Sequence, residues 1–192
     1  MELKPTWREW HCDLHNEQKT MAEILATLPG NPPEDIHWLI RLLERPTSPL
    51  ALSGAAHLDT HDCIHIVLGR GLLPQDEAFV LGFTMGAASG VRFWEPAVLR
   101  LAARYFYPSI YKFTNKQIAI FNLGFEAAKQ SACRDIHKFD FKKYENLPLG
   151  KIRAMLKIDP RKLIGVYKRE RQIIPDSTVS RRLDIQPWGQ SA

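Results

Sequence analysis

Thr114-Asn115-Lys116-Gln117 is a capping box, and behind it apolar residues recur at Ile118, Phe121, Phe125 and Ala128. In such a box the threonine hydroxyl takes an orphan N–H of the first turn while the glutamine side chain returns to the threonine's own N–H. The helix start is therefore written locally, and the stripe behind it demands burial against another element. The same grammar recurs along the chain. Glu34–Arg45 places Ile36, Leu39, Ile40 and Leu43 at helical spacing between Pro32-Pro33 and Pro46. Glu95-Pro96 opens a helix through Leu99, Leu101 and Ala102 that must end before Pro108, because proline disfavours a helical residue ahead of it. PLGKIRAMLKI and DPRKLIGVYKR read as two shorter helices, the second with Asp159 as cap and Pro160 at its first position. No stretch alternates as a strand would, and no Asn-Gly or Asp-Gly hairpin turn occurs. The expectation is an all-α fold: a single compact helical domain over 1–192, with its core over 20–158 and a basic C-terminal extension over 159–192. The closing stretch QIIPDSTVSRRLDIQPWGQSA lacks periodicity and reads as an extended strap or tail.

A chain of 192 residues is long enough for one core without staples. Its three cysteines, Cys12, Cys63 and Cys133, are odd in number and contain no C-x-x-C pair, so neither a disulfide framework nor a thiolate zinc site is written. The start carries acids and no apolar h-region, and the longest apolar run falls short of a membrane span. Bacterial cytoplasm, peripheral to the inner membrane, is the expected location. The net charge of +5 is uneven: residues 142–192 hold twelve Lys/Arg against five Asp/Glu, while residues 1–141 hold fourteen against sixteen. Those basic residues could attract an anionic membrane surface. Without a recognition motif they give no case for nucleic acid.

The chemistry concentrates in HDCIHIVLGRGLLPQDE, residues 61–77. His61 and His65 stand one helical turn apart on one face, so both imidazoles can reach one ion. Asp62 lies near enough to ligate the same ion or orient an imidazole, whereas Cys63 points away and reads as core. Gly69-Arg70-Gly71 ends the helix, and Pro74 restarts one with Gln75, Asp76 and Glu77 in its first turn. Glu77 is either a helix-start carboxylate or, if the turn folds the helices antiparallel, a further oxygen ligand. Two imidazoles with one or two carboxylates suit zinc, iron or manganese.

H-D-x-x-H, eleven residues, then E resembles the signature of the Coq-four family of ubiquinone (coenzyme Q) biosynthesis proteins, at His61, Asp62, His65 and Glu77. The likeness continues in the small-residue helix AFVLGFTMGAASG, in GFEAAKQSACRDIHKFDF and in LPLGKIRAMLKI, and covers roughly residues 20–158. The resemblance implies an all-helical, lipid-binding protein in which these four residues hold a divalent metal, zinc first, with iron, manganese or magnesium as alternatives. It also implies a polyprenylated quinone precursor or other isoprenoid lipid as ligand. The implied activity is oxidative decarboxylation, the carboxyl at ring carbon one replaced by hydroxyl, together with or instead of organising other ubiquinone biosynthesis proteins. A homodimer is a further expectation.

Gly82, Gly86 and Gly90 recur every four residues, with Ala78 extending the row. They read either as a tight helix-packing seam or as a lipid-binding groove walled by Phe79, Phe83 and Met85. Trp94 and Tyr105-Phe106-Tyr107 would fill the core or lie at a membrane interface. His11 and His15 read as an exposed helix edge. A rival reading is an HD-type phosphohydrolase, which uses an adjacent His-Asp pair but needs an upstream histidine such as His37 and a distant aspartate such as Asp135. A third is a non-catalytic prenyl-lipid module in which the ion only clamps two helices.

Overall fold

The computed structural model describes residues 6–29, 52–106 and 112–183, so the helix expected over 34–45 and His37 lie outside the described residues. Among the described residues the fold is all-α, with eight helices and no strand. These are α1 (Met21–Leu25), α2 (Leu58–Val67), α3 (Pro74–Ala87), α4 (Glu95–Tyr105), α5 (Asn115–Gln130), α6 (Leu149–Met155), α7 (Pro160–Ile173) and α8 (Thr178–Arg182). Short 3-10 turns at Ile136–Lys138 and Lys142–Tyr144 join α5 to α6. No described helix is long and apolar enough to cross a membrane.

Local signals start several of these helices. Thr114 caps α5 and exchanges hydrogen bonds with Gln117, Thr20 does the same for α1 with Glu23, and Asp159 takes the Arg161 N–H ahead of Pro160 in α7. The axis of the fold is α3, whose side chains from Ala78 to Ala87 are all buried. A helix apolar all round belongs in the middle of a core. Its main neighbour is α5, and the two backbones meet at glycines. A Cβ on Gly82 would stand 2.1 Å from the Phe121 carbonyl oxygen, one on Gly86 2.5 Å from that of Phe125, and one on Gly124 2.4 Å from that of Phe79.

Of the two readings of the glycine row, seam or lipid groove, Gly82 and Gly86 therefore take the seam, their open side being filled by the backbone of α5. Phe79 and Phe83 are buried in the core, and Gly90, with φ +82°, lies beyond the end of α3. Small residues there serve close approach of two helices.

The packed core also reaches beyond residues 20–158. Trp10, Cys12 and Leu14 are buried ahead of α1, and Leu163, Ile164, Tyr167, Val179 and Leu183 are buried behind α6. The last described stretch forms α8 rather than a strap, with the Ser177 hydroxyl accepting the Ser180 N–H at 2.9 Å. Five residues are too few to write a helical period, so only the cap could have announced it. The pair His11 and His15 sits on no helix: His11 bridges to Gly71, and Cys12 N–H donates to the Arg70 carbonyl at 3.1 Å.

Candidate metal centre

The centre is built on the turn between α2 and α3. Helix α2 ends in a Schellman motif: Gly69, at φ +66°, donates to the Ile66 carbonyl at 3.0 Å and Arg70 to the His65 carbonyl at 2.9 Å. Glycine is required there because other residues resist that left-handed conformation. The chain turns through Gly71–Leu73, Pro74 occupies the first position of α3, and Asp76 accepts the Leu73 N–H at 3.2 Å. Glu77, in the first turn of α3, thereby comes back beside the last turns of α2.

Three ligand-capable side chains converge. His61 Nε2 lies 2.8 Å from Glu77 Oε1, His65 Nε2 lies 3.2 Å from Glu77 Oε2, and the two Nε2 atoms are 3.1 Å apart. The rings meet edge to face, with centroids 4.8 Å apart. His65 is 1% exposed, and its Nδ1 lies 2.6 Å from the Gly71 carbonyl oxygen. That oxygen can only accept, so Nδ1 carries a hydrogen and Nε2 is the atom presented to the centre. Such a bond fixes both ring orientation and tautomer of a metal-binding histidine. Burial opposes the charge on Glu77, but the His61 and His65 rings prevail and hold its carboxyl well below the usual carboxylate range. The group stays anionic, as a ligand must.

The donor set fits a divalent ion. Tetrahedral ligands at about 2.0–2.1 Å from zinc stand about 3.3 Å apart. The separations of 2.8, 3.1 and 3.2 Å need to open by only tenths of an ångström. His61, His65 and Glu77 together can hold a metal ion. Their chemistry does not name it, since two imidazoles and a carboxylate occur in catalytic zinc sites and in non-haem iron oxygenases alike. His61 and Glu77, 16% and 21% exposed, leave one side of the group accessible.

Asp62 stands outside the converging three. It is half-buried, burial raises its carboxyl above the ordinary value, and the His61 and His65 rings partly offset that. Cys63 packs into the core as its helical phase required, and burial pushes its thiol up to about 12. His57 is the N-cap of α2 but makes no side-chain cap. Asp135, the distant aspartate an HD-type centre would need, sits at the opposite end of α3. It accepts the Ser89 N–H at 2.8 Å and pairs with Lys138 at 3.4 Å. Ten residues of helix separate the α3 residues beside it from Glu77, about 15 Å at the α-helical rise.

One group was not read from the sequence. Arg70, fully buried, sends its guanidinium to Glu170 of α7 through bonds of 3.0 and 3.1 Å and stacks 4.1 Å from the Phe79 ring centroid. Buried Asp76 is held by Arg182 of α8 and lies 3.6 Å from Arg70 Nε, while Gln75 donates to Glu170 at 2.6 Å. In the sequence Arg70 is only the middle of a Gly-Arg-Gly turn. Its partner lies 100 residues away, which no local pattern records.

No family model, curated protein or solved structure matches the chain. Fold and site define an all-helical protein whose His61, His65 and Glu77 can hold a metal ion.

Proposed function

We propose that this chain is a divalent-metal protein of ubiquinone biosynthesis, akin to the Coq-four family, that binds a polyprenylated benzoate precursor at the His61–His65–Glu77 centre. The reaction is oxidative decarboxylation, the ring carboxyl leaving as carbon dioxide and a hydroxyl taking its place. The observation that carries the reading is the convergence of His61, His65 and Glu77 across the turn, at three of the four positions of the family motif. Imidazole donors favour zinc or iron over magnesium.

A bound ion supplies Lewis acidity toward the precursor's carboxylate. The protein's own part is placement. The Gly71 carbonyl locks His65 with Nε2 inward, and Glu77 closes the group from the next helix. Two neutral imidazoles and one carboxylate leave a divalent ion with one net positive charge, matching a single substrate carboxylate. Replacing carboxyl by hydroxyl removes two electrons from the substrate, which dioxygen accepts with water as co-reactant, giving hydrogen peroxide. The isoprenoid chain takes a path other than the α3–α5 seam, where the backbones touch.

The test is metal analysis and organic extraction of the purified protein, followed by turnover of a carboxyl-labelled polyprenyl hydroxybenzoate under labelled dioxygen. About one equivalent of metal is expected, falling severalfold in His65→Ala and Glu77→Gln, with labelled carbon dioxide released only by the metal-bearing protein. Equal metal in wild type and both variants refutes the centre. Metal with substrate binding but no label release leaves the clamp or organising role in place of catalysis.

A further inference from the structure

Helix α4 exposes the aromatic residues for which the sequence left core and membrane interface both open. Phe93 is 96% exposed, Leu101 56%, Tyr105 59% and Phe106 62%, with Trp94 and Val98 at 39% and 37%. Positions 94, 98, 101 and 105 fall within an arc of about 60° on a helical wheel. The opposite face, through Leu99, Ala102 and Ala103, is buried. Among the described residues no element covers this second apolar stripe, which is a row of large side chains rather than scattered exposed residues.

The exposed charges of its own stretch of chain are of one sign. Residues 89–118 contain Arg92, Arg100, Arg104, Lys112 and Lys116, and their single acid, Glu95, is 5% exposed with its carboxylate turned onto the Arg92 N–H. Arg100 and Arg104 run along one flank of the stripe, anchored to Asn122 and Asn115 of α5 at 2.8 and 2.6 Å. Arg104 and Arg92 also lie over the Tyr105 and Trp94 rings. Basic residues beside Trp, Phe and Leu on one surface helix are the composition of an interfacial membrane helix. An antiparallel two-fold pairing of two such faces would bring the arginine rows together on one side, which disfavours that arrangement of a second copy.

We propose that α4, with Phe93 and Phe106 at its ends, is a membrane-docking helix that lies in the interfacial plane of an anionic bilayer. This rests on the surface of α4 and not on the metal centre. It does not draw on the C-terminal quarter, where Arg153, Arg171 and Arg182 bond backbone carbonyls and Asp76 while Lys142, Lys143, Arg161, Lys162, Lys168 and Arg169 are exposed.

The full chain is assayed by co-sedimentation with vesicles of phosphatidylcholine alone or mixed equally with phosphatidylglycerol. Binding is expected to be at least about tenfold stronger to the anionic vesicles. Leu101→Glu/Tyr105→Glu should abolish it, and Arg100→Gln/Arg104→Gln should weaken it by about fivefold per charge. The surface control Arg161→Gln/Lys162→Gln should change it less than twofold, with thermal melts verifying that every variant is folded. The proposal is overturned if folded Leu101→Glu/Tyr105→Glu binds like wild type, or if the control loses binding instead. It is equally overturned if wild type ignores anionic vesicles and sediments as a dimer that the stripe variant splits.

Discussion

Replacing Gly82 by alanine separates a helix seam from a ligand groove. The added Cβ would lie 2.1 Å from the Phe121 carbonyl oxygen, and ordinary contact begins near 3.4 Å, so the backbone of α5 must retreat by about 1.3 Å. No flexible side chain can absorb that shift, because the obstructing atom is main chain. Overpacking of this kind costs about 1–3 kcal/mol and occasionally more, and a main-chain clash belongs at the upper end. Alanine returns about 1 kcal/mol of helix propensity. The net loss is about 2 kcal/mol, equivalent to a fall in Tm of about 4–8 °C for a chain of this size. Gly165→Ala is the internal control: it lies inside α7 with nothing within 4 Å of its Cβ, so only the propensity gain of about 1 kcal/mol remains. Thermal unfolding followed by circular dichroism reads both. A Gly82→Ala protein as stable as wild type, or stabilised like Gly165→Ala, would refute the seam and reopen the groove.

The buried ion network gives a second stability prediction. Glu170→Gln strips the Arg70 guanidinium of its closest anion inside the core and should cost about 3–5 kcal/mol by chemical denaturation. Arg70→Met/Glu170→Met should cost less than the sum of its single variants, and strict additivity would deny the pairing. The cysteines yield a third test. Cys12 and Cys133 are buried with thiols pushed up to about 11, and Cys63 to about 12. Raised values keep the unreactive thiol form at pH 8, so a thiol reagent should label none of the three in the native protein and all three after denaturation. Rapid labelling of Cys63 in native protein would contradict its place on the core face of α2.

What the sequence made legible was whatever is decided within about two helical turns. The Thr114 box, the Asp159-Pro160 start and the Gly69 stop are each local hydrogen-bond solutions, and the structure uses all three. The His61–His65 spacing belongs to the same class. Glu77 needed one further step, the antiparallel return of α3, and the short turn left little other choice. Decisions taken across the core were not legible. Whether Gly82 faces a ligand or Phe121 depends on which helix lies alongside, and whether Trp94 and Leu101 are covered depends on what packs beyond α4. Apolar spacing announces that a face exists without saying that another element meets it.

The charged cluster behind the centre explains why the basic C-terminal quarter is part of the fold rather than an appendage. An apolar cluster of similar volume would stabilise the core at least as well as buried Arg70, Asp76 and Glu170. Energy alone is therefore a poor reason for the cluster. Geometry is a better one. Arg70 immediately precedes Gly71, whose carbonyl orients His65, and Asp76 immediately precedes Glu77. The planar guanidinium donates to Glu170 along only two fixed directions, and Asp76 is held at once by the Leu73 N–H and by Arg182. A slip of the turn by one residue would break these bonds together and would leave ions bare in the core. Greasy contacts would tolerate such a slip, but a metal centre would not, since its ligands must stay within about 0.5 Å of a working arrangement. Helices α7 and α8 thus fix the register of the turn that sets His65 against Glu77.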